Sequence, residues 1–126
     1  MKKLQKVSTS DAPQAIGPYS QAMVYVDMVF TSGQIPINPQ SGNVEAATIE
    51  AQAEQVMKNL GAVLRASGSD FDKVVKTTCY LANMDDFAAF NAVYAKYFTT
   101  NPARSCVAVK ALPKDVLVEV EVIATK

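Results

Sequence analysis

The chain has 126 residues and a mass of 13.5 kDa, which is the size of a single domain. At this length no second domain is expected, and a hydrophobic share of 49% is typical of a globular protein. Twelve Lys and Arg balance twelve Asp and Glu, so strong binding of nucleic acid through phosphate neutralisation is not expected. There is no histidine, which removes Ser-His-Asp and Cys-His chemistry and most catalytic zinc sites. Any proton transfer must therefore use carboxylates, lysines, tyrosines, thiols, backbone groups or water.

The first third of the chain predicts three strands. Residues 3–7 read as a short strand, and residues 21–26 and 29–33 form a hairpin around Asp27-Met28. Residues 34–46 are rich in Pro, Asn and Gly and predict a loop.

The middle of the chain predicts a long helix and a further strand. Residues 48–67 keep the helical period, with Thr48 as the N-cap and Gly68 at the C′ position. Residues 74–82 are strongly β-prone.

The last third predicts one more helix and two strands. Residues 84–98 read as a helix in which Asn83 and Asp86 resemble a capping pair. Residues 105–110 and 116–124 read as strands joined by a loop.

These elements give the order β, β-hairpin, α, β, α, β, β, which is an α+β or α/β sandwich of one sheet with two helices. Two helices can cover only one face of the sheet. The other face must be covered by loops or by another subunit, and we expect oligomerisation on that ground.

The cysteines and the chain start predict a cytoplasmic protein. Cys79 and Cys106 form no CxxC motif, and because both lie in predicted strands we expect buried thiols. The basic start is not followed by the apolar segment of a signal peptide, and no stretch is apolar enough to span a membrane.

The last strand carries two acids on one face. Its period of two places Val118, Val120 and Val122 on the face that meets the helices, and Glu119 and Glu121 on the other. The pattern fits a solvent-facing strand as well as two carboxylates in a subunit interface, where at least one would have a perturbed pKa. The pattern does not distinguish the two acids.

Arg104 is the second candidate. It follows Pro102 at the mouth of a predicted strand, where a guanidinium could clamp a carboxylate or phosphate, although an ordinary surface arginine fits equally well. Arg65 lies off the apolar stripe of its helix and is expected to be solvated. Asn91 shares a helical face with Phe87, and it either caps a strand end or orients a loop that lines a pocket.

Other motifs are weak or absent. Residues 16–21 hold a rigid turn with the Tyr19 hydroxyl, and Ser32 and Gly33 end a strand where backbone could approach a ligand. GxGxxG, GxxxxGK[ST], HExxH and GxSxG do not occur, so Rossmann redox chemistry, P-loop hydrolysis and serine hydrolysis are unsupported.

Taken together, several segments resemble the reactive intermediate deaminase family, the RidA/YjgF group also called L-PSP endoribonucleases or translation inhibitors. The resemblance spans nearly the whole chain. It rests on AIGPYSQ at 15–21, TSGQIP at 31–36, VKTT at 75–78, PARSCV at 102–107, LPKD at 112–115 and VEVE at 118–121.

The resemblance implies a chorismate-mutase-like α+β fold of about six strands with two helices on one face, assembled as a homotrimer with clefts between subunits. It implies hydrolysis of 2-imino acids or their enamine tautomers, released by PLP-dependent dehydratases, to 2-keto acids and ammonia. It implies no metal and no organic cofactor. On the charge balance and the lack of a long apolar stretch, we expect neither a nucleic acid nor a membrane as partner.

Residue by residue, the resemblance implies that Arg104 binds the substrate carboxylate and that Glu119 positions or activates the attacking water. It implies that the backbone N–H of Cys106 faces the ligand, so the thiol need not react. The remaining residues that it places along the cleft are Tyr19, Ser32, Gly33 and Asn91.

The sequence departs from this pattern beside one motif. Many relatives have Glu at the position of Ala108 and Arg at that of Ala111, which puts charge pairs at the interface in doubt more than the chemistry. We expect desolvation to raise the pKa of Glu119, with a nearby cation partly offsetting the shift.

Two alternatives stay open. One is a trimer that binds small carboxylates in a regulatory role without turnover. The other is an RNA-cleaving translation inhibitor, which the zero net charge and missing histidine disfavour.

Overall fold

A computed structural model describes residues 3–126, in which six strands form one mixed sheet and two α-helices pack against it. The elements are β1 (Leu4–Val7), β2 (Ala22–Tyr25), β3 (Met28–Thr31), α1 (Ile49–Ala66), β4 (Val74–Leu81), α2 (Phe87–Tyr97), β5 (Ala103–Ala108) and β6 (Val118–Thr125). Across the sheet the order is β1-β2-β3-β6-β4-β5, and all neighbours are antiparallel except the parallel pair β4 and β5. The predicted α+β class is thus confirmed.

Helix α1 begins and ends at its predicted capping residues. The Thr48 Oγ1 accepts a hydrogen bond from the backbone N–H of Ala51 at 3.2 Å, and Gly68 follows the helix at a φ of +82°, which glycine adopts without strain. Arg65 in its last turn is largely exposed, as predicted, and pairs with Asp70 at 3.7 Å. Within residues 3–126, neither helix combines the length and apolarity needed to cross a membrane.

Only one face of the sheet carries the core. Val118, Val120 and Val122 are at most 2% exposed, and they pack with the apolar side of α1, as the period of two in β6 predicted. The opposite face, which we call the open face, has no helix on it within the described residues. Large apolar side chains remain exposed there, namely Leu4, Tyr25, Phe30 and Val107.

Several predicted boundaries were wrong by one to three residues. The hairpin turn lies at Val26-Asp27 rather than Asp27-Met28, because Tyr25 already pairs with Met28. Strand β5 begins at Ala103 rather than residue 105, because its parallel pairing with β4 starts directly after Pro102. Arg104 is therefore inside the strand and not at its mouth.

The start of the second helix also differs from the prediction. Residues 84–86 form a tight 3-10 turn, and the α-helix begins only at Phe87. The Asn83 side chain accepts from the backbone N–H of Asp85 at 2.9 Å, but Asp86 makes no side-chain cap. The predicted reciprocal capping pair is thus only half formed.

A β-bulge lies between β3 and β6. Phe30 pairs with Ile123, but the next pairing, Gln34 with Val120, is offset by one residue. The extra residue lies around Ser32, and it reverses the alternation of side chains beyond that point. As a result Gly33 faces the open side of the sheet and Gln34 faces the helices.

Candidate active site

Arg104 is held in a defined position on the edge strand β5. Its Nη1 donates a hydrogen bond of 2.7 Å to the Asn91 Oδ1 of helix α2. Its guanidinium carbon lies 4.7 Å from the ring centroid of Tyr94 and 5.4 Å from that of Phe87. One hydrogen bond and two aromatic rings therefore orient an exposed cation, which leaves its remaining N–H groups for an anion.

The support under Arg104 is itself buried. The Tyr94 hydroxyl shares a 2.8 Å hydrogen bond with the Thr77 Oγ1 of β4, and burial raises the pKa of Tyr94. Beside the guanidinium is a cavity of about 300 Å³, which Asn91, Tyr94 and Pro102 also line. This volume accommodates a small organic acid.

Cys106 lies two residues along β5 from Arg104 and on the same face. It pairs in register with Cys79 of β4, and both thiols are free. Desolvation raises the pKa of Cys106 and raises that of Cys79 to about 12, so both stay protonated at neutral pH. Cys79 is fully buried as predicted, whereas Cys106 is only partly buried. We refer to Arg104, Asn91, Tyr94 and Cys106 as the arginine half-site.

Glu119 lies on the open face directly above Gly33. A methyl group at Gly33 would come within 2.8 Å of the Glu119 carboxyl carbon, so only a residue without a Cβ lets the carboxylate take this position. The bulge at Ser32 is what turns Gly33 toward Glu119. Burial raises the pKa of Glu119, and the neighbouring Glu121 carboxylate raises it further.

The structure distinguishes the two acids that the sequence pattern could not. The Tyr80 hydroxyl of β4 donates to Glu121 Oε1 at 3.2 Å, so Glu121 has a partner. No hydrogen bond or cation from residues 3–126 contributes to the pKa of Glu119. The expected direction and main cause of the Glu119 shift are confirmed. The cation expected to offset the shift partly stays a prediction for the covered cleft; within residues 3–126 the second influence on the pKa is the Glu121 carboxylate.

Tyr19 and Ser32 lie next to Gly33. The Ser32 Oγ donates to the backbone oxygen of Ser20 at 2.6 Å, which ties the bulge to the loop that carries Tyr19. Gly17 has a φ of +126°, and the turn it makes allows the Tyr19 hydroxyl to accept from the Ile16 backbone N–H at 3.3 Å. We refer to Glu119, Gly33, Ser32 and Tyr19 as the glutamate half-site.

The two half-sites do not meet within one chain. Arg104 is in register with Thr77 on the helix-covered face, whereas Glu119 is in register with Tyr80 on the open face. Three residues along the strands and two strands across give a Cα separation of about 14 Å. A small acid bound to Arg104 therefore cannot touch Glu119 of the same chain.

The sequence prediction omitted three supporting residues. The Tyr94 ring packs against the guanidinium of Arg104, and Thr77 hydrogen-bonds to the Tyr94 hydroxyl. The Tyr80 hydroxyl hydrogen-bonds to Glu121. The helical spacing of Phe87, Asn91 and Tyr94 predicts that the three side chains share one face of α2, and this could have identified Tyr94 as a neighbour of Asn91 in the site. The contacts of Thr77 and Tyr80 depend on the register of β4 with its neighbours, which no local pattern shows. Among residues 3–126, no three Cys, Asp or Glu side chains cluster as metal ligands would.

The fold and the two half-sites define a small α+β protein with an oriented, exposed arginine and a half-buried carboxylate on opposite faces of one sheet. A family model described as "Endoribonuclease L-PSP" matches residues 9–126. The chain therefore belongs to the L-PSP endoribonuclease family, which is the RidA/YjgF family that its motifs resemble.

Relatives within this family have different names. The chain is 47% identical over 124 residues to the 2-iminobutanoate/2-iminopropanoate deaminase of Escherichia coli K12, covering 95% of this chain and 96% of that one. It is 54% identical over 119 residues to a Lactococcus lactis protein named "Putative regulator AldR", covering 94% of each chain. Among solved structures, E. coli TdcF with bound serine superimposes with a TM-score of 0.92 at 41% identity, covering 97% of this chain and 98% of that one.

Proposed function

We propose that this protein is a hydrolase that converts 2-iminobutanoate, 2-iminopropanoate and similar reactive imines or enamines to 2-keto acids and ammonia. The observation that carries the proposal is Glu119, a half-buried carboxylate above Gly33 whose pKa is raised by burial, which makes it a stronger proton acceptor than an ordinary surface carboxylate. The similar E. coli protein that bears the name of this activity supports the choice of substrate.

In this proposal Arg104 binds the substrate carboxylate. The guanidinium is already oriented by Asn91 and Tyr94, so little side-chain freedom is lost on binding. The backbone N–H groups on the outer side of the edge strand, that of Cys106 among them, provide further donors.

Glu119 then accepts a proton from water as the oxygen adds to C2 of the C=N bond. This proton passes to the imine nitrogen, which gives the tetrahedral carbinolamine. Glu119 then takes the proton of the carbinolamine hydroxyl and delivers it to the amino nitrogen, so that the C–N bond breaks and ammonia leaves as the carbonyl forms. One imine and one water thus give one keto acid and one ammonia. This chemistry needs no histidine, since an imine carbon is already electrophilic.

The complete site requires a second copy of the chain. Arg104 and Glu119 lie on opposite faces and too far apart to hold one small substrate. The exposed apolar side chains of the open face, including Phe30 and Val107, fit an interface between copies. We propose a homotrimer in which each cleft takes Arg104 from one subunit and Glu119 from the next.

The activity is tested by generating 2-iminobutanoate with a threonine dehydratase and following release of the keto acid. We expect the wild type to accelerate release and Arg104→Ala to lose the acceleration, with Arg65→Ala as the matched control. If 2-ketobutyrate binds in a way that requires Arg104 but the protein does not accelerate keto-acid release, the protein is instead a non-catalytic regulatory protein.

The shared cleft is tested by mixing two inactive variants. Arg104→Ala and Glu119→Gln chains are co-refolded in equal amounts, so that random assembly pairs an intact Arg104 with an intact Glu119 in about a quarter of the clefts. We expect about that fraction of the wild-type rate to return. No recovery in verified mixed oligomers would contradict the shared cleft.

A further inference from the structure

Glu119 and Glu121 lie next to each other on the open face of β6, and the proposed reaction uses only one of them as its base. They are two residues apart on one strand, so their Cα atoms are about 7 Å apart and their side chains point to the same side. Both residues are only partly buried. Carboxylates this close together compete for one proton, so a further contact must decide which of them keeps it.

Tyr80 of β4 supplies that contact. It pairs in register with Glu119, yet its hydroxyl donates to the Oε1 of Glu121 at 3.2 Å, which is the diagonal position across the two strands. Burial raises the pKa of Tyr80, and the charges of Glu121 and Glu119 raise it further. The hydroxyl therefore keeps its proton at neutral pH and remains a donor to Glu121.

The other charged and titratable groups around the two acids make no comparable contact within residues 3–126. Lys76 of β4 lies on the same face but forms no ion pair, and neither do Lys114 and Asp115 in the turn before β6. Tyr19, in the loop before β2, uses its hydroxyl as the acceptor for a backbone N–H. Strands β3 and β5 bring only uncharged side chains to this face. The hydrogen bond from Tyr80 is thus the contact that distinguishes the two acids.

We propose that Tyr80 is a positioning residue whose hydrogen bond holds Glu121 in its ionised form, which leaves Glu119 as the group that binds and releases the proton. The inference rests on the proposed hydrolase activity, and it assigns Tyr80 a role through Glu121 without contact to the substrate. A hydrogen bond to a carboxylate favours the charged form of that carboxylate. The single proton that the two acids share at intermediate pH therefore stays on Glu119, and Glu119 becomes the base when this proton leaves.

The test compares the pH profiles of kcat/KM for imine hydrolysis in the wild type and in Tyr80→Phe, which removes the hydroxyl and keeps the ring. Without the donor, the pair with both carboxylates ionised is less stable, so its last proton leaves at higher pH. We expect the acid limb to move up by about half to one pH unit, whereas a purely structural role would leave it in place. Tyr25→Phe is the matched control and should not move the limb, because Tyr25 lies on the same face and its hydroxyl bonds to none of the described residues.

A second measurement does not need turnover. In NMR titrations of protein labelled with carbon-13 at the glutamate carboxyl groups, the Glu119 signal, assigned with Glu119→Gln, should titrate at higher pH in Tyr80→Phe than in the wild type. An acid limb or a Glu119 midpoint that stays in place, or that moves to lower pH, would overturn the role of Tyr80 and leave the hydrolase activity standing. If the wild type hydrolyses no imine, the hydrolase proposal fails instead, and the NMR titration alone decides whether Tyr80 controls which acid holds the proton.

Discussion

Substitution of Gly33 by alanine should separate catalysis from stability. A Cβ at this position lies 2.8 Å from the Glu119 carboxyl carbon and 3.0 Å from its Cγ, whereas ordinary contacts begin at 3.4 Å. The carboxyl group must therefore retreat by about 0.6 Å or more, and displacements of about 1 Å in a catalytic group cost on the order of a hundredfold in rate. We expect kcat for imine hydrolysis to fall about ten- to a hundredfold.

Stability should change little in the same variant. Gly33 is not among the glycines with positive φ, so its backbone accepts alanine, and the gain from a less flexible unfolded chain, about 0.4–1 kcal/mol, offsets part of the crowding. The KM should also change little, because Arg104 binds the substrate from another surface. Gly42 offers the reverse control, since it has a φ of +75° with nothing within 4 Å, so Gly42→Ala should lower stability and leave kcat unchanged.

The assay is keto-acid release from enzymatically generated 2-iminobutanoate, with urea unfolding measured on the same samples. In a Glu119→Gln background, Gly33→Ala should cause no further loss of kcat, because the displaced carboxylate is already gone. Full activity in Gly33→Ala, or an equal additional loss in both backgrounds, would refute the reasoning.

Three further changes test the surroundings of the half-sites. Glu121→Gln removes the negative charge that helps to raise the pKa of Glu119, so the acid limb of the kcat/KM profile should move to lower pH; an unmoved limb would show that Glu119 is not the titrating base. Arg104→Lys loses the planar guanidinium and should raise KM about ten- to a hundredfold, the equivalent of one or two charge-assisted hydrogen bonds; an unchanged KM would contradict carboxylate binding there. Thr77→Val leaves the buried Tyr94 hydroxyl unpaired and should lower the free energy of unfolding by about 1–3 kcal/mol in urea titrations, with Tyr94→Phe relieving the loss in the double variant.

Local patterns in the sequence account for most of the secondary structure. The Thr48 cap, the Gly68 end and the apolar stripe between them predict α1 to within one residue, because the interactions that begin and end a helix are local. The strict alternation in β6 likewise predicts which face holds Val120 and which holds Glu119. The boundaries of β5 were missed because its extent depends on pairing with β4, a distant segment.

By itself, the sequence predicted a neutral α+β fold without histidine, one covered sheet face, and a motif series specific enough to name its family. The tertiary structure decided the rest of the site. It placed Arg104 and Glu119 on opposite faces. It also let the Tyr80 hydroxyl bond to Glu121, so that of these two acids only Glu119, above Gly33, has no hydrogen-bond partner within residues 3–126. These outcomes depend on strand register and on a one-residue bulge. Register is set by contacts between residues far apart in the chain, so no local pattern contains it.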